Sequence, residues 1–303
     1  MTPFTVTVLG CGSALPTLRH NGSAQLVNIH EKYFLVDCAE GTQVALRRQH
    51  IHLQRLAHIF LSHLHGDHCL GLPGLLSTLG MLGRTAPIHI YGPEETERVF
   101  RPMLDAFCPH RSYEVFFHAV SGGGKVYEDR TVEVSAIPLN HGVPCFGYLF
   151  SEKPSQPHIL REAIEAYDIP VSYIHLIKAG NDYTLPDGRV IPNSELTRPA
   201  APSRSYAYCT DTRFLPSAAP LMEGVNLLYH EATYADEHAE VCEQVYHSTA
   251  RQAGEMARLA HARQLLIGHY STRYEDEHVL LRQAQSVFPN TLLADEGLTI
   301  AVE

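Results

Sequence analysis

Ser62-His63-Leu64-His65-Gly66-Asp67-His68 is the stretch on which the reading of this chain turns. It follows an apolar run of buried-strand type at residues 56–61 and precedes an apolar, Gly-containing run of helical type at residues 70–82. Four potential metal ligands fall within six positions. On an extended loop, His63 and His65 point the same way. Beyond the turn at Gly66, Asp67 and His68 can face a second point a few ångströms off. The spacing suits two metal ions side by side rather than one.

A dinuclear site needs more ligands, and the later sequence supplies them. His141 stands after a strand-like run at 132–139, Asp211 ends one at 205–210, and His269 ends an apolar run at 265–268. All occupy the C-terminal end of a strand, where loops of α/β sheets gather sites. Asp211 can also reach two cations with its two oxygens, which an imidazole cannot do.

The rest of the composition agrees with this. The chain has 303 residues, 45% hydrophobic and 18% charged, enough for one large domain or two ordinary ones and too apolar for a disordered segment. No apolar run approaches the length of a membrane span, and Met1-Thr2-Pro3-Phe4-Thr5 has neither the basic start nor the apolar stretch of a signal segment. Seven cysteines, widely spaced and without a C-x-x-C pair, read as buried thiols in a reducing, cytoplasmic setting. A net charge of −10 argues against broad, non-specific nucleic-acid binding. Twenty histidines, about one residue in fifteen, lean towards metal chemistry.

Strand patterns at 4–10, 24–29, 33–36, 88–91, 113–118, 131–138, 205–209, 226–229 and 264–267, with a helix pattern at 248–260, predict a mixed sheet protein. Gly122-Gly123-Gly124 reads as a hairpin turn. Gly10-Cys11-Gly12 reads as a tight turn, since Leu15 and Pro16 break a dinucleotide fingerprint. Cys69 reads as a small helix residue packing inward. Residues 151–202 differ: Pro154, Pro157, Pro170, Pro186, Pro192, Pro199 and Pro202 punctuate them, around a short helix at 159–167 and a turn at 185–188. They read as an arm inserted into a single domain spanning 1–303.

The seven ligand candidates in this order resemble the metallo-β-lactamase superfamily. Within it, the chain resembles the ribonuclease Z family of tRNA 3′-processing endonucleases. The likeness extends through Leu9-Gly10-Cys11-Gly12-Ser13-Ala14-Leu15-Pro16-Thr17, Val36-Asp37-Cys38-Ala39-Glu40-Gly41-Thr42-Gln43, His68-Cys69-Leu70-Gly71-Leu72-Pro73-Gly74-Leu75-Leu76, His230-Glu231-Ala232-Thr233 and His247-Ser248-Thr249. It implies an α/β fold, a four-layer αββα sandwich with an inserted exosite-like arm. It also implies two zinc ions per chain, with manganese accepted by the same ligands. His63, His65 and His141 would hold one ion, Asp67, His68 and His269 the other, and Asp211 would bridge. A hydroxide between the ions would attack, Asp67 would accept a proton, and Glu231 with His247 would pass one to the leaving 3′ oxygen.

The implied substrate is precursor tRNA, cut to leave a 3′-hydroxyl, by a cytoplasmic homodimer. From 151 to 200 the chain carries five basic residues (Lys153, Arg161, Lys178, Arg189, Arg198) against seven acidic ones, so the arm is no basic clamp. RNA contacts are expected at Arg19, Lys178 and Arg189, and Arg47, Arg48 and Arg55 read equally well as a solvated basic face. A small-molecule phosphodiesterase or another hydrolase of the same fold is the alternative, though small substrates need no 50-residue excursion. A non-catalytic scaffold would show a lost ligand, and none of the seven is lost.

Overall fold

Phe4–Gly10 forms the first strand, β1, which pairs antiparallel with β2 (Ala24–Ile29), and β2 turns back into β3 (Lys32–Val36). The pairing then becomes parallel through β4 (Leu56–Phe60), β5 (Ile88–Pro93) and β6 (Val115–Val120). Parallel neighbours require crossovers. Those are α1 (Thr42–Arg48), then α2 (Gly66–Cys69) with α3 (Leu72–Met81), then α4 (Thr96–Phe107). The computed structural model describes residues 2–15 and 17–303. Met1, and Pro16 of the 9–17 motif, lie outside the described residues.

A second sheet opens with the antiparallel strands β7 (Gly124–Glu128) and β8 (Val132–Pro138), followed by β9 (Phe146–Glu152). The insertion holds β10 (His158–Ile159), α5 (Arg161–Ala166), α6 (Val171–Lys178), β11 (Tyr183–Thr184), β12 (Val190–Ile191), α7 (Asn193–Leu196) and β13 (Thr197–Arg198). The main chain resumes with β14 (Ser205–Cys209), β15 (Leu227–Glu231), α8 (Ala239–Gln244), α9 (Ala250–Leu259), β16 (Gln264–Gly268), α10 (His278–Gln285), β17 (Thr291–Leu293) and β18 (Thr299–Ala301). The first sheet runs β18-β1-β2-β3-β4-β5-β6 and the second β17-β16-β15-β14-β9-β8-β7.

Two compact units result: Met1–Glu128, Val132–Ser151 and Arg204–Glu303 form the larger, and Asp129–Thr131 with Glu152–Ser203 the smaller. In the larger unit the two sheets pack face to face, with Phe34 against Phe150 and Phe60 against Tyr148 at centroid distances of 5.7 and 5.2 Å. Leu46, Leu75, Leu79, Phe100 and Leu104 of α1, α3 and α4 cover the outer face of the first sheet. Ala253, Met256 and Ala257 of α9 and Leu280 of α10 join the core of the second. The layers are therefore αββα. The smaller unit has its own core, built from Ala163, Ile169, Ile177, Tyr183, Leu185, Ile191 and Leu196. Among the described residues, no helix is long and apolar enough to cross a membrane.

Some local expectations change. Gly122 to Gly124 do not close a hairpin: β6 and β7 belong to different sheets, so the glycines carry the chain from one layer to the other. The helix expected at 159–167 is shortened to α5, because Ile159 pairs with Thr197 as a strand. Thr96–Phe107 is helical despite Pro102, its apolar face held by the burial of Phe100 and Leu104.

The Gly71-Leu72-Pro73-Gly74 motif acquires a physical meaning here. A Cβ on Gly71 would lie 1.9 Å from the carbonyl oxygen of Ala39, so only glycine lets the start of α3 seat on that loop. Pro73 sits in the first turn, where its missing N–H costs nothing.

Candidate metal centre

The C-terminal end of β4 delivers Ser62 and His63, and the following turn delivers His65, Asp67 and His68. β14 ends two residues before Asp211, β15 ends on Glu231, and β16 ends just before His269. The loop after β8 brings His141. Their donor atoms gather in two sets, each with all donors within 4.8 Å of one another: His63, His65, His141 and Asp211 form one, and Asp67, His68 and His269 form the other. The two oxygens of Asp211 face different sets. Oδ2 lies 3.7 Å from His63 Nε2 and 3.8 Å from His141 Nε2, while Oδ1 lies 3.3 Å from His68 Nε2 and 3.2 Å from His269 Nε2.

The outer hydrogen bonds decide which ring nitrogens are free to bind. His63 Nδ1–H donates to Ser62 Oγ at 3.0 Å, His68 Nδ1–H to Asp37 Oδ2 at 2.8 Å, His141 Nδ1–H to the Tyr246 carbonyl at 3.2 Å and His269 Nδ1–H to Thr233 Oγ1 at 2.9 Å. Each Nε2 then turns a lone pair inward. His63 Nε2 is buried and has no hydrogen-bond partner. His68 Nε2 faces His269 Nε2 at 3.3 Å, and His141 Nε2 faces His65 Nδ1 at the same distance. Facing lone pairs repel unless a cation lies between them. A tetrahedral ion with nitrogen ligands at ~2.0–2.1 Å spaces neighbouring donors by about 3.3–3.4 Å. The residues therefore fit a metal ion of zinc type.

Burial and then the neighbouring His68 hold the His63 imidazole well below its ordinary pKa, favouring the neutral form a ligand needs. Against the pull of burial, the Asp211 and Asp37 carboxylates raise His68 well above its own ordinary value, a proton that a bound cation would displace. Burial opposes ionisation of Asp211, but the histidines around it, His269 and His68 first, outweigh burial and hold its carboxyl well below the usual range. At Asp67 burial likewise opposes the charge and the contacts of His269 and His68 prevail, so its carboxyl lies well below the usual range.

Asp37 is a residue that ligand spacing alone does not single out. Fully buried at φ 56°, it accepts from Ser62 N–H (2.8 Å), Ser62 O–H (2.9 Å), His68 Nδ1–H (2.8 Å) and Tyr208 O–H (2.7 Å). It thus orients two histidines at once, His68 directly and His63 through Ser62. Its one sequence signal is an acid closing an apolar strand, within the Val36-Asp37 motif. Asp37→Asn keeps the shape and tolerates the positive φ, but sets an N–H₂ and a neutral oxygen against four donors. We expect divalent-ion affinity or turnover to fall roughly 10–100-fold, read by competition with a chromogenic chelator. An unchanged affinity and rate would remove Asp37 from the site.

Beside the donor sets lies a second pair. Glu231 is wholly buried, and its Oε1 accepts from Thr212 N–H and His247 Nδ1–H, both at 2.9 Å. Burial would lower the His247 pKa, but the Glu231 charge and hydrogen bond push it up to about 9. The His247 ring stacks on His269 at 5.4 Å and lies within the same cluster as Asp211. Thr233 O–H donates to Glu231 Oε2 at 2.6 Å and accepts from His269, so one hydroxyl couples the pair to a donor set. The helix cap is Thr249, in a capping box with Gln252, and Ser248 O–H donates to the Thr212 carbonyl at 2.7 Å. His247 is not needed for either task.

Comparison with known proteins bears on what such a centre is for. A family model described as Anti-Pycsar protein Apyc1 matches residues 4–108. The chain is 51% identical over 304 residues to a protein named ribonuclease Z from Parabacteroides distasonis, covering all of both chains. It is 52% identical over 305 residues to another of that name from Phocaeicola vulgatus, covering 100% of this chain and 99% of the other. The chain belongs to the ribonuclease Z family. The solved short form of human tRNase Z shares the fold, with a TM-score of 0.72, 23% identity and 99% of each chain covered. So does the metallo-β-lactamase-fold protein YhfI of Bacillus subtilis, with a TM-score of 0.69, 18% identity and 99% of each chain covered.

Ribonuclease Z family membership implies a divalent metal, in accord with the inward lone pairs. The family motifs quoted from the sequence supply Asp37, His68, Glu231, Thr233 and His247 of the site. The residues expected to touch RNA are placed less uniformly. Arg19 is about half exposed and pairs with Glu277 at 2.7 Å. Arg189 pairs with Asp187 at 2.8 Å, and Lys178 stands in the last turn of α6. Of the other arginines, Arg55 pairs with Glu31 at 2.9 Å and lies over the Tyr33 ring, while Arg47 and Arg48 end α1. Cys69 is buried in α2 with its thiol on the His65 carbonyl at 3.1 Å, and it belongs to neither donor set.

Proposed function

We propose that this chain is a metal-dependent endoribonuclease that removes the 3′ trailer from precursor tRNA and leaves a 3′-hydroxyl on the tRNA. The observation that carries the reading is the pair of donor sets joined by the two oxygens of Asp211, in a chain alike over its whole length to proteins named ribonuclease Z. His63, His65 and His141 would hold one zinc ion, Asp67, His68 and His269 a second, and Asp211 would reach both. Such a pair supplies a water of lowered pKa and neutralises phosphodiester oxygens.

The remaining steps belong to the chain's own groups. Asp67, held ionised by its neighbours, accepts the proton of the attacking water. His247, fixed through Nδ1 by Glu231, gives a proton to the departing 3′ oxygen. The small unit, with Lys178 and Arg189, is read as the arm that holds folded tRNA, and Arg19 as a further RNA contact. Pairing into a homodimer and a cytoplasmic location complete the reading. A small-molecule phosphodiesterase remains the competing use of the same donors.

The deciding experiment incubates the zinc-loaded protein with a precursor tRNA bearing a 3′ trailer and maps the cut to the nucleotide. One cut at the base of the trailer, leaving a 3′-hydroxyl, is the expected product. Hydrolysis of small diesters without cleavage of the precursor would favour the competing reading.

A further inference from the structure

Away from the donor sets lies a buried network that the chemistry above does not use. His20 is 6% exposed and sits between two carboxylates: Nδ1–H donates to Glu296 Oε2 at 2.8 Å and Nε2–H to Glu277 Oε1 at 3.2 Å. Only an imidazolium donates from both nitrogens. Burial disfavours that charge, but the hydrogen bond and charge of Glu296, then those of Glu277, outweigh it and raise the His20 pKa. Burial likewise opposes the Glu296 charge, and the His20 contact overcomes it and holds that carboxyl low.

The other groups facing the network complete its charge balance. The Arg19 guanidinium lies 2.7 Å from Glu277 Oε2. The Cys11 thiol lies 3.3 Å from His20 Nδ1, kept protonated by burial and then by Glu296 and Asp295. The Tyr270 ring stands 5.6 Å from the imidazole. Two carboxylates thus face two cations.

What the network holds is the loop after β1. Glu296 Oε1 accepts the Asn21 N–H at 2.9 Å, and Gly12 N–H donates to the Asn21 carbonyl at 2.9 Å. Tyr270 N–H donates to the Cys11 carbonyl at 3.0 Å, and Ser13 N–H to the Tyr270 carbonyl at 3.1 Å. The next residue, Ala14, has φ 43° and donates its N–H to Asp67 Oδ2 at 2.7 Å. A non-glycine residue stays at such a φ only where its surroundings fix it. Asp67 Oδ2 is also the oxygen that faces His68 Nε2 and His269 Nε2, at 3.5 and 3.6 Å.

We infer that His20 is a positioning residue for the metal centre: clamped between Glu296 and Glu277, it fixes residues 11–14 and 20–21 so that the Ala14 amide orients Asp67. This rests on the reading of Asp67 as a ligand proposed above. It also carries a sign. The folded pKa of His20 is raised, so its contribution is complete below the unfolded pKa and is lost as pH rises through the folded value. The loop should loosen on the alkaline side.

The test uses the full chain and three variants, His20→Gln, Glu296→Gln and His20→Arg. Hydrogen exchange of residues 11–21 is followed in metal-free and zinc-loaded protein. On the same samples, metal content is measured, together with kcat and KM for bis(p-nitrophenyl) phosphate. His20→Gln and Glu296→Gln should raise exchange in that segment alone and lower kcat roughly 10–100-fold, with KM little changed. His20→Arg keeps a cation between the carboxylates and should restore most of kcat. After correction for intrinsic exchange, the wild-type segment should open as pH rises and the His20→Arg segment should not.

Unchanged exchange and kcat in both neutral variants would overturn the inference. So would a rise in exchange across the whole protein, which would make His20 a fold-stabilising residue without a particular role at the centre. A wild type that binds no divalent ion would instead sink the metal reading, and the exchange result would still report on the loop.

Discussion

Asp211→Ala should cost the protein most of its bound metal and nearly all turnover. No other candidate ligand faces both donor sets: one oxygen lies within 3.3 Å of His68 and His269, the other within 3.8 Å of His63 and His141. Removing it takes a negative charge from between two sites that would each hold a dication. The loss should exceed the roughly 10²-fold that follows loss of an outer hydrogen-bond partner. The wild type should bind about two equivalents of zinc, measured by elemental analysis after gel filtration, and the variant should fall below one. Zinc should raise the melting temperature of the wild type and do so far less for the variant, because only a folded-state ligand stabilises. Two retained equivalents and an unchanged rate would dismiss the two-ion reading.

His247→Ala should have the second largest effect, and of a different kind. The side chain belongs to neither main donor set and is held through Nδ1 by the buried Glu231. Metal content should therefore survive. Cleavage of precursor tRNA should drop roughly 10²–10⁴-fold, the usual worth of a positioned acid, because a departing 3′ alkoxide needs a proton. A p-nitrophenyl diester should be hydrolysed at nearly the wild-type rate, since p-nitrophenolate leaves unprotonated. The split between the two substrates separates proton delivery from loss of structure. An equal fall on both, or on neither, would remove His247 from the chemistry.

Much of the architecture could be read along the chain because it depends on local pattern. The strand at Phe4–Gly10 alternates Phe4, Val6 and Val8 with threonines before Leu9 and is stopped by glycine, and the one at Ser205–Cys209 is stopped by a polar turn. The last two strands and α10 leave no such mark on the sequence. β17 and β18 are three residues each, too short to show a period, and α10 mixes Leu280 and Ala284 with charged neighbours. α4 was hidden by Pro102, whose helix-breaking tendency is overridden by the burial of Phe100 and Leu104.

The sequence by itself determined the kind of chemistry and the residues to look at. His63, His65, Asp67 and His68 share one strand-end turn, so their spacing is a local fact. His141, Asp211 and His269 each follow a recognisable strand. The family resemblance already implied how these residues divide into two sets; only the tertiary structure decided which nitrogen of each ring is free. That choice depends on Asp37, Ser62, Thr233 and the Tyr246 carbonyl, common groups with no distinctive spacing. The contact between His20 and Glu296 spans 276 positions, and that between His68 and His269 spans 201. Periodicity reports which face of an element is buried; it carries no information about which distant strand end will stand opposite. That is settled by the packing of the two sheets, which brings the ends of β4, β14, β15 and β16 to one edge.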